Sequence, residues 1–161
     1  MNNTVHPHDA PGNTAGKGLL ARWNALAGLL NRCIPHDLLA LAGRLGIAAT
    51  FFYSGRTKVE GFLTVTDSAI DLFTNEYKVP LLPPELAAHM AAYAEHFLPL
   101  LLVLGLATRL SALGLLAMTL VIQVFVYPDA WPTHLSWAAI LLYLAGRGAG
   151  VVSLDRAFGI R

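Results

Sequence analysis

The longest uncharged segment of the chain covers residues 110–127, where eighteen consecutive residues include no Asp, Glu, Lys or Arg. A helix of this length is long enough to cross the hydrocarbon core of a bilayer. A helix on the surface of a soluble bundle would need a polar face, which this segment almost entirely lacks. The chain is therefore predicted to be an integral membrane protein.

Three further apolar segments, at residues 38–54, 85–106 and 133–145, predict an all-α integral membrane four-helix bundle. Charged residues make up 13% of the chain, against about 25% in soluble domains. Pro83 and Pro84 suit the first turn of the second segment. The fourth segment is short for a bilayer of about 30 Å, so we expect Trp131 and Arg147 at its two interfaces.

Residues 1–35 differ from the bundle predicted for residues 36–161. Residues 1–15 are polar and predict a disordered leader. In residues 17–33, Leu19, Trp23, Leu26 and Leu30 recur at helical spacing, which predicts an amphipathic helix on an anionic membrane surface. Packing of this helix on the protein itself is an equal alternative. Cys33, the single cysteine, is expected to be an inert apolar residue.

The distribution of basic residues predicts the orientation. Seven Lys and Arg residues flank one side of the predicted spans and three flank the other. The seven are Lys17, Arg22, Arg32, Arg109, Arg147, Arg156 and Arg161, and the three are Arg56, Lys58 and Lys78. By the positive-inside rule, both termini are cytoplasmic, and residues 61–84 form an external loop with a short amphipathic helix. No basic tract suits nucleic acid.

Charged groups at membrane depth are costly and need partners. Arg44 lies in the first apolar segment and Glu95 lies near the middle of the second, beside small alanines that would let another helix approach. We therefore expect Arg44 and Glu95 to form an intramembrane ion pair that braces the bundle.

A second group of polar residues lies toward the outer face of the predicted bundle and predicts a polar pocket open to that side. The group comprises Tyr53, His89, Gln123, Tyr127 and His134. Its side chains could bind the head group of a quinone-like molecule. Three alternatives stay open, namely a haem between His89 and His134, a metal held by Glu85 and His89 at positions i and i+4, and no ligand at all.

Four motifs, in this order, resemble the DoxX family of small bacterial membrane proteins. They are Arg44-Leu-Gly46 with residues 52–58, which include Ser54, Gly55 and Lys58; Glu95 with residues 104–109, which end at Arg109; Met118; and residues 148–155, which include Ser153 and Asp155. Ala149 stands where the family has proline. The resemblance covers about residues 38–158. We expect Ser153 to cap a terminal helix that has Asp155 in its first turn.

The resemblance implies a four-helix bundle in the bacterial inner membrane. Some members of the family are described as subunits of quinone-linked oxidoreductases, and others are linked to oxidative or thiol stress through soluble partners. It therefore implies a multi-pass membrane subunit of a redox or stress-defence system, with quinone as a candidate cofactor and a soluble or membrane redox partner. A homo-oligomer is open. The alternatives are a non-catalytic anchor or assembly factor that uses the 61–84 loop, and a metal or solute transporter.

Overall fold

The computed structural model describes residues 14–160, and the chain divides into two compact units on either side of the Pro35–His36 bond. The first unit contains helix α1, Thr14–Cys33, on which Leu19, Trp23, Leu26 and Leu30 form an exposed apolar stripe. The helix begins slightly before the predicted residue 17. Most of the predicted leader lies outside the described residues, and the membrane placement of α1 stays a prediction.

The second unit is built from four long helices and a segment of short elements between the first two. The elements are α2 (His36–Arg56), β1 (Val59–Glu60), β2 (Thr64–Val65), α3 (Asp67–Leu72), α4 (Pro84–Leu104), α5 (Thr108–Val121), α6 (Trp131–Arg147) and α7 (Leu154–Ala157). Each of the four apolar segments predicted from the sequence corresponds to one long helix. The predicted helical fold is thus confirmed.

Three of these helices are long and apolar enough to cross a membrane within residues 14–160. They are His36–Arg56, Pro84–Leu104 and Thr108–Val126, the last of which adds a π-helical turn, Ile122–Val126, to α5. Helix α6 has 17 residues, which is short for a spanning helix. Its passage through the membrane therefore remains a prediction.

The long helices form a closed ring in which α2 packs on α4, α4 on α5, α5 on α6 and α6 on α2. Their shared core consists of Ala40, Ile47, Ala48, Phe51, Leu102, Ala112, Leu115, Leu141 and Leu144. Buried alanines on α2 and α4 let the helix backbones approach closely, which matters in lipid because helix association there depends on contact rather than on the hydrophobic effect.

Residues 57–83 cover one end of this ring, which we call the hairpin end. Strands β1 and β2 pair antiparallel, and Thr66 caps α3 by accepting a hydrogen bond from the amide of Ala69. The predicted short helix is present as α3, but the hairpin was not predicted because two residues per strand carry no periodic signal. Phe73, in the π-helical turn Phe73–Tyr77, packs on Ala87 and Ala88 of α4.

The opposite end of the ring, which we call the Arg44 end, contains the tight turn between α4 and α5. Gly105 ends α4 with φ of 64°, a left-handed conformation that favours glycine. A Cβ atom on Gly105 would lie 2.6 Å from Cβ of Ser153 and 2.8 Å from Nη2 of Arg44. The turn therefore requires glycine for its conformation and for space.

Gly105→Ala is expected to lower the free energy of unfolding by about 2–4 kcal/mol, because left-handed strain and overpacking add. Gly46→Ala is the matched control, since Gly46 lies in helical α2 with no atom within 4 Å of an added Cβ. Thermal unfolding in detergent would measure both variants. Equal melting temperatures for the two variants would contradict the close packing at Gly105.

Candidate functional site at the hairpin end

A cavity of about 170 Å³ lies at the hairpin end, between the four long helices and the Phe73–Tyr77 turn. Its polar lining consists of Thr50, Ser54, Lys58, Tyr77, Glu95, Tyr127 and His134. Aromatic and aliphatic side chains, among them Phe51, Met118 and Trp137, form the rest of the wall. An apolar cavity with a few convergent polar groups is the usual form of a small-molecule site.

The strongest electrostatic feature of the cavity is the ion pair between Lys58 and Glu95. Nζ of Lys58 lies 2.7 Å from Oε2 of Glu95, and the two side chains are 9% and 3% exposed. The same ammonium group donates to the hydroxyl of Ser54 at 3.1 Å and to its carbonyl at 3.2 Å. Such desolvated charges are held only by close pairing and added hydrogen bonds.

Gly55 explains how α2 and α4 come close enough for this pair to form. A Cβ atom at Gly55 would lie 2.9 Å from the His96 ring and 3.0 Å from Cβ of Glu95. Ser54 and Lys58 are four residues apart, so both can reach the Glu95 side of α4 when α2 ends beside it. The Ser-Gly-x-x-Lys motif thus combines a close contact with a paired charge.

His134 is held in one orientation by a short hydrogen-bonded chain. The amide nitrogen of Gln123 donates to the carbonyl of Pro128 at 2.7 Å, so its oxygen is free to accept from Nδ1 of His134, also at 2.7 Å. Neutral His134 therefore carries its proton on Nδ1 and offers Nε2 as an acceptor. Gln123 positions His134 and is not part of the cavity wall.

Two tyrosines join residues 57–83, which we call the covering segment, to the end of α5. The hydroxyl of Tyr127 donates to Oε1 of Glu76 at 3.2 Å and lies 3.4 Å from the hydroxyl of Tyr77. Burial raises the pKa of the Tyr77 phenol above its ordinary value, with a smaller effect from Tyr127. Tyr77 therefore stays protonated and can donate a hydrogen bond at neutral pH.

The structure brings together some of the residues predicted for the pocket and not others. Tyr127 and His134 line the cavity. Tyr53 is 72% exposed on another face of α2. Nδ1 of His89 donates to the carbonyl of Glu85 at 2.8 Å, outside the cavity. Ser54 was singled out only through the family motif, and Lys58 through that motif and its place among the basic residues of the outer flank. Tyr77 was missed because nothing in the sequence aligns the external loop with α5.

The haem and metal alternatives gain no support from these positions. His134 lines the cavity and His89 does not, so the two imidazoles do not face each other across it. Within residues 14–160, no group of three or more His, Cys, Asp and Glu side chains is arranged to hold a metal. Glu85 and His89 meet through a backbone carbonyl rather than through the carboxylate.

The predicted ion pair between Arg44 and Glu95 is wrong, because Glu95 pairs with Lys58. The guanidinium of Arg44 instead donates four hydrogen bonds of 2.7–2.8 Å to the carbonyls of Leu102, Val103, Ala149 and Val152. The reason is the stagger of α2 against α4, which places Gly55 beside Glu95 and Arg44 beside Gly105. Matching the outer ends of the two predicted spans, residues 54 and 85, would have placed residue 44 opposite residue 95.

The remaining motif residues form hydrogen bonds with backbone groups at helix ends near Arg44. The carboxylate of Asp155 accepts from the amides of Ala107 at 2.7 Å and Thr108 at 2.9 Å, at the start of α5. Arg109 donates to the carbonyls of Ala145 and Gly146 at the end of α6. Ser153 caps α7 as predicted, by accepting from the amide of Arg156. Anions at helix starts and cations at helix ends match the helix dipole.

Comparison with known protein families shows to which family this chain belongs. The DoxX family model matches residues 39–128, which include Arg44, Lys58 and Glu95. The chain belongs to the DoxX family. The predicted family is thus confirmed, and the chain is a multi-pass membrane protein. No curated protein and no solved structure matches it.

Lys58→Ala in this DoxX protein is expected to lower the free energy of unfolding by about 3–5 kcal/mol, since Glu95 would be left buried without its partner. The double variant Lys58→Met with Glu95→Leu should recover most of the loss, because both charges are removed together. Thermal unfolding in detergent would measure each variant. Arg56→Ala, an exposed basic residue nearby, is the control, and an equal loss for it would contradict a buried pair.

Proposed function

We propose that this protein is the membrane subunit of a redox or stress-defence system and that its cavity binds the head group of a quinone-like molecule. The observation that carries the proposal is the combination of hydrogen-bond donors and acceptors on the walls of one small cavity. Tyr77 is a donor, while Glu95 and Nε2 of His134 are acceptors. The three N–H bonds of Lys58 and the hydroxyl proton of Tyr127 already have partners in Ser54, Glu95 and Glu76.

Both kinds of group suit a molecule that changes its hydrogen-bonding character. The ring oxygens of a quinone accept hydrogen bonds, and after uptake of two electrons and two protons the hydroxyls of the hydroquinone donate them. Walls that hold donors and acceptors can bind either form. A partner protein would supply or take up the electrons, because the chain has a single cysteine and therefore no internal dithiol.

The size of the cavity supports a single ring rather than a larger ligand. Sites for drug-sized molecules measure roughly 300–1,000 Å³, whereas this cavity has about 170 Å³. A neighbouring groove of about 500 Å³ runs between α5 and α6 and is lined mainly by leucine and alanine. His134 borders both spaces, so an apolar tail in the groove would be continuous with a ring in the cavity.

The orientation of the bundle completes the proposal. With four spans, and with seven basic residues flanking one side of them in the sequence against three flanking the other, both termini would lie in the cytoplasm of a bacterium. Helix α6 would measure about 26 Å, and Trp131 at its start and Arg147 at its end suit the two interfaces of the inner membrane. The cavity then faces the outer leaflet.

A second candidate function is that of a non-catalytic anchor or assembly factor. Phe62 and Leu81, on either side of α3, are 90% and 100% exposed. Exposed apolar side chains in a segment outside the long helices suit contact with a partner protein. This function requires the covering segment and not the cavity.

The full-length protein in nanodiscs is expected to bind a short-tailed benzoquinone, measured by quenching of tryptophan fluorescence. His134→Leu should weaken binding roughly fivefold to tenfold, because one hydrogen bond is lost. His89→Leu is the matched control, since His89 does not line the cavity, and its affinity should be unchanged.

Absence of binding, together with absence of quinone in solvent extracts of the purified protein, would remove the basis of the redox proposal. Equal weakening by His134→Leu and His89→Leu would place any bound quinone outside the cavity. Either result would favour the anchoring function.

A further inference from the structure

A second cavity, of about 860 Å³, lies at the Arg44 end, between the α4–α5 turn, the end of α6 and the segment that includes α7. Arg109, Arg147 and Arg156 line it, and we call it the arginine cavity. We propose that the arginine cavity binds a phosphate-bearing anion, as the head group of an anionic phospholipid or as free phosphate. The proposal does not depend on quinone binding at the hairpin end.

The acidic side chains of the arginine cavity are already satisfied by the backbone. Both carboxylate oxygens of Asp155 accept amides at the start of α5. Oδ1 of Asp37 accepts from the amide of Val151 at 2.9 Å. Among the described residues neither carboxylate forms an ion pair with the arginines, and the lining holds three guanidinium groups against two carboxylates.

The guanidinium groups, in contrast, have donors to spare. Arg147 and Arg156 are exposed, and their side chains form no hydrogen bond within residues 14–160. Nη1 of Arg109 is used for two carbonyls of α6, whereas its Nη2 and Nε donate to no described group and lie beside Gly148, another residue of the lining. Arg109 is therefore fixed in place, while the other two can close around a ligand.

The polar lining is completed by neutral groups. His36 belongs to the lining, and its Nδ1 is hydrogen-bonded to the hydroxyl of Tyr143 at 2.7 Å. Thr108 belongs to the wall, and its buried hydroxyl oxygen has no hydrogen-bond partner among the described residues. Gly148 and Gly150 have φ of 82° and 80°, and their lack of side chains keeps the cavity open beside Arg109 and Asp37.

These features fit phosphate better than a carboxylate or an apolar ligand. Guanidinium groups present planar pairs of N–H donors that match phosphate oxygens. The arginine cavity also lies where three long helices end or begin, the level at which lipid head groups are found, and basic pockets between membrane helices bind such head groups. A phospholipid could place its phosphate among the arginines while its chains remain in the bilayer.

The test compares the full-length protein with the variant Arg147→Gln/Arg156→Gln, in phosphatidylcholine nanodiscs with and without phosphatidylglycerol. Native mass spectrometry should show phosphatidylglycerol retained by the parent protein and retained at least about tenfold less by this variant. Arg56→Gln/Lys78→Gln, which removes two charges at the hairpin end, should retain the lipid normally. In phosphatidylcholine alone, all three should melt at similar temperatures.

Inorganic phosphate is the second arm of the experiment. If phosphate raises the melting temperature of the parent protein but not that of Arg147→Gln/Arg156→Gln, and phosphatidylglycerol has no effect, the site is real and its ligand is free phosphate. Equal lipid loss in both double variants, or no difference between the parent and Arg147→Gln/Arg156→Gln with either ligand, would overturn the proposal. If the double variant does not fold, Arg156→Gln against Lys78→Gln applies the same criteria, with about a threefold loss expected.

Discussion

The hydrogen bonds of Arg44 are the interaction on which the rest of the bundle depends. Inside a membrane, every backbone carbonyl needs a partner within the protein, and the last carbonyls of a helix have none of their own. Arg44 supplies donors to Leu102 and Val103 at the end of α4, and also to Ala149 and Val152 in the segment after α6. One side chain of α2 thereby joins three parts of the chain, which fixes the stagger of α2 against α4 and brings Lys58 opposite Glu95.

The two ends of the bundle use charge in different ways. Near Arg44, most charged groups engage the backbone: Asp155 caps the start of α5 and Arg109 the end of α6. At the hairpin end, Lys58 and Glu95 engage each other beside a cavity. A donor or acceptor atom that caps a helix stabilises the fold and is not available to a ligand. The hydroxyl of Tyr77 and Nε2 of His134 have no such role and line the cavity at the hairpin end, so we propose ligand binding there. We propose a separate anion site where guanidinium donors of the Arg44 end remain unengaged.

The sequence predicted the long helices well because each is a run of apolar residues bounded by proline, glycine or charge. It did not predict the partner of Glu95. Lys58 lies beyond the predicted end of the first span. The periodicity of a sequence also does not indicate the offset of one helix relative to its neighbour along their axes. Tyr53 and Ser54 are neighbours in sequence, but successive residues of a helix point about 100° apart. Ser54 therefore lines the cavity while Tyr53 is exposed on another face of α2. Once the family motif had pointed to Ser153, its cap was predictable because capping is local. The contacts of Arg109 and Asp155 with other helices are not local and were not predicted.

The central claim is that the cavity beside Lys58 and Glu95 is where a quinone-like ligand binds. Photo-crosslinking tests it most directly: a short-tailed azidoquinone is irradiated with the full-length protein in nanodiscs, and the labelled residues are identified by peptide mass spectrometry. Labels should concentrate on lining residues such as Tyr77, Met118 and Tyr127, and excess unlabelled quinone should remove them. Labels spread over exposed side chains such as Tyr53 and Phe97, insensitive to competing quinone, would contradict the account.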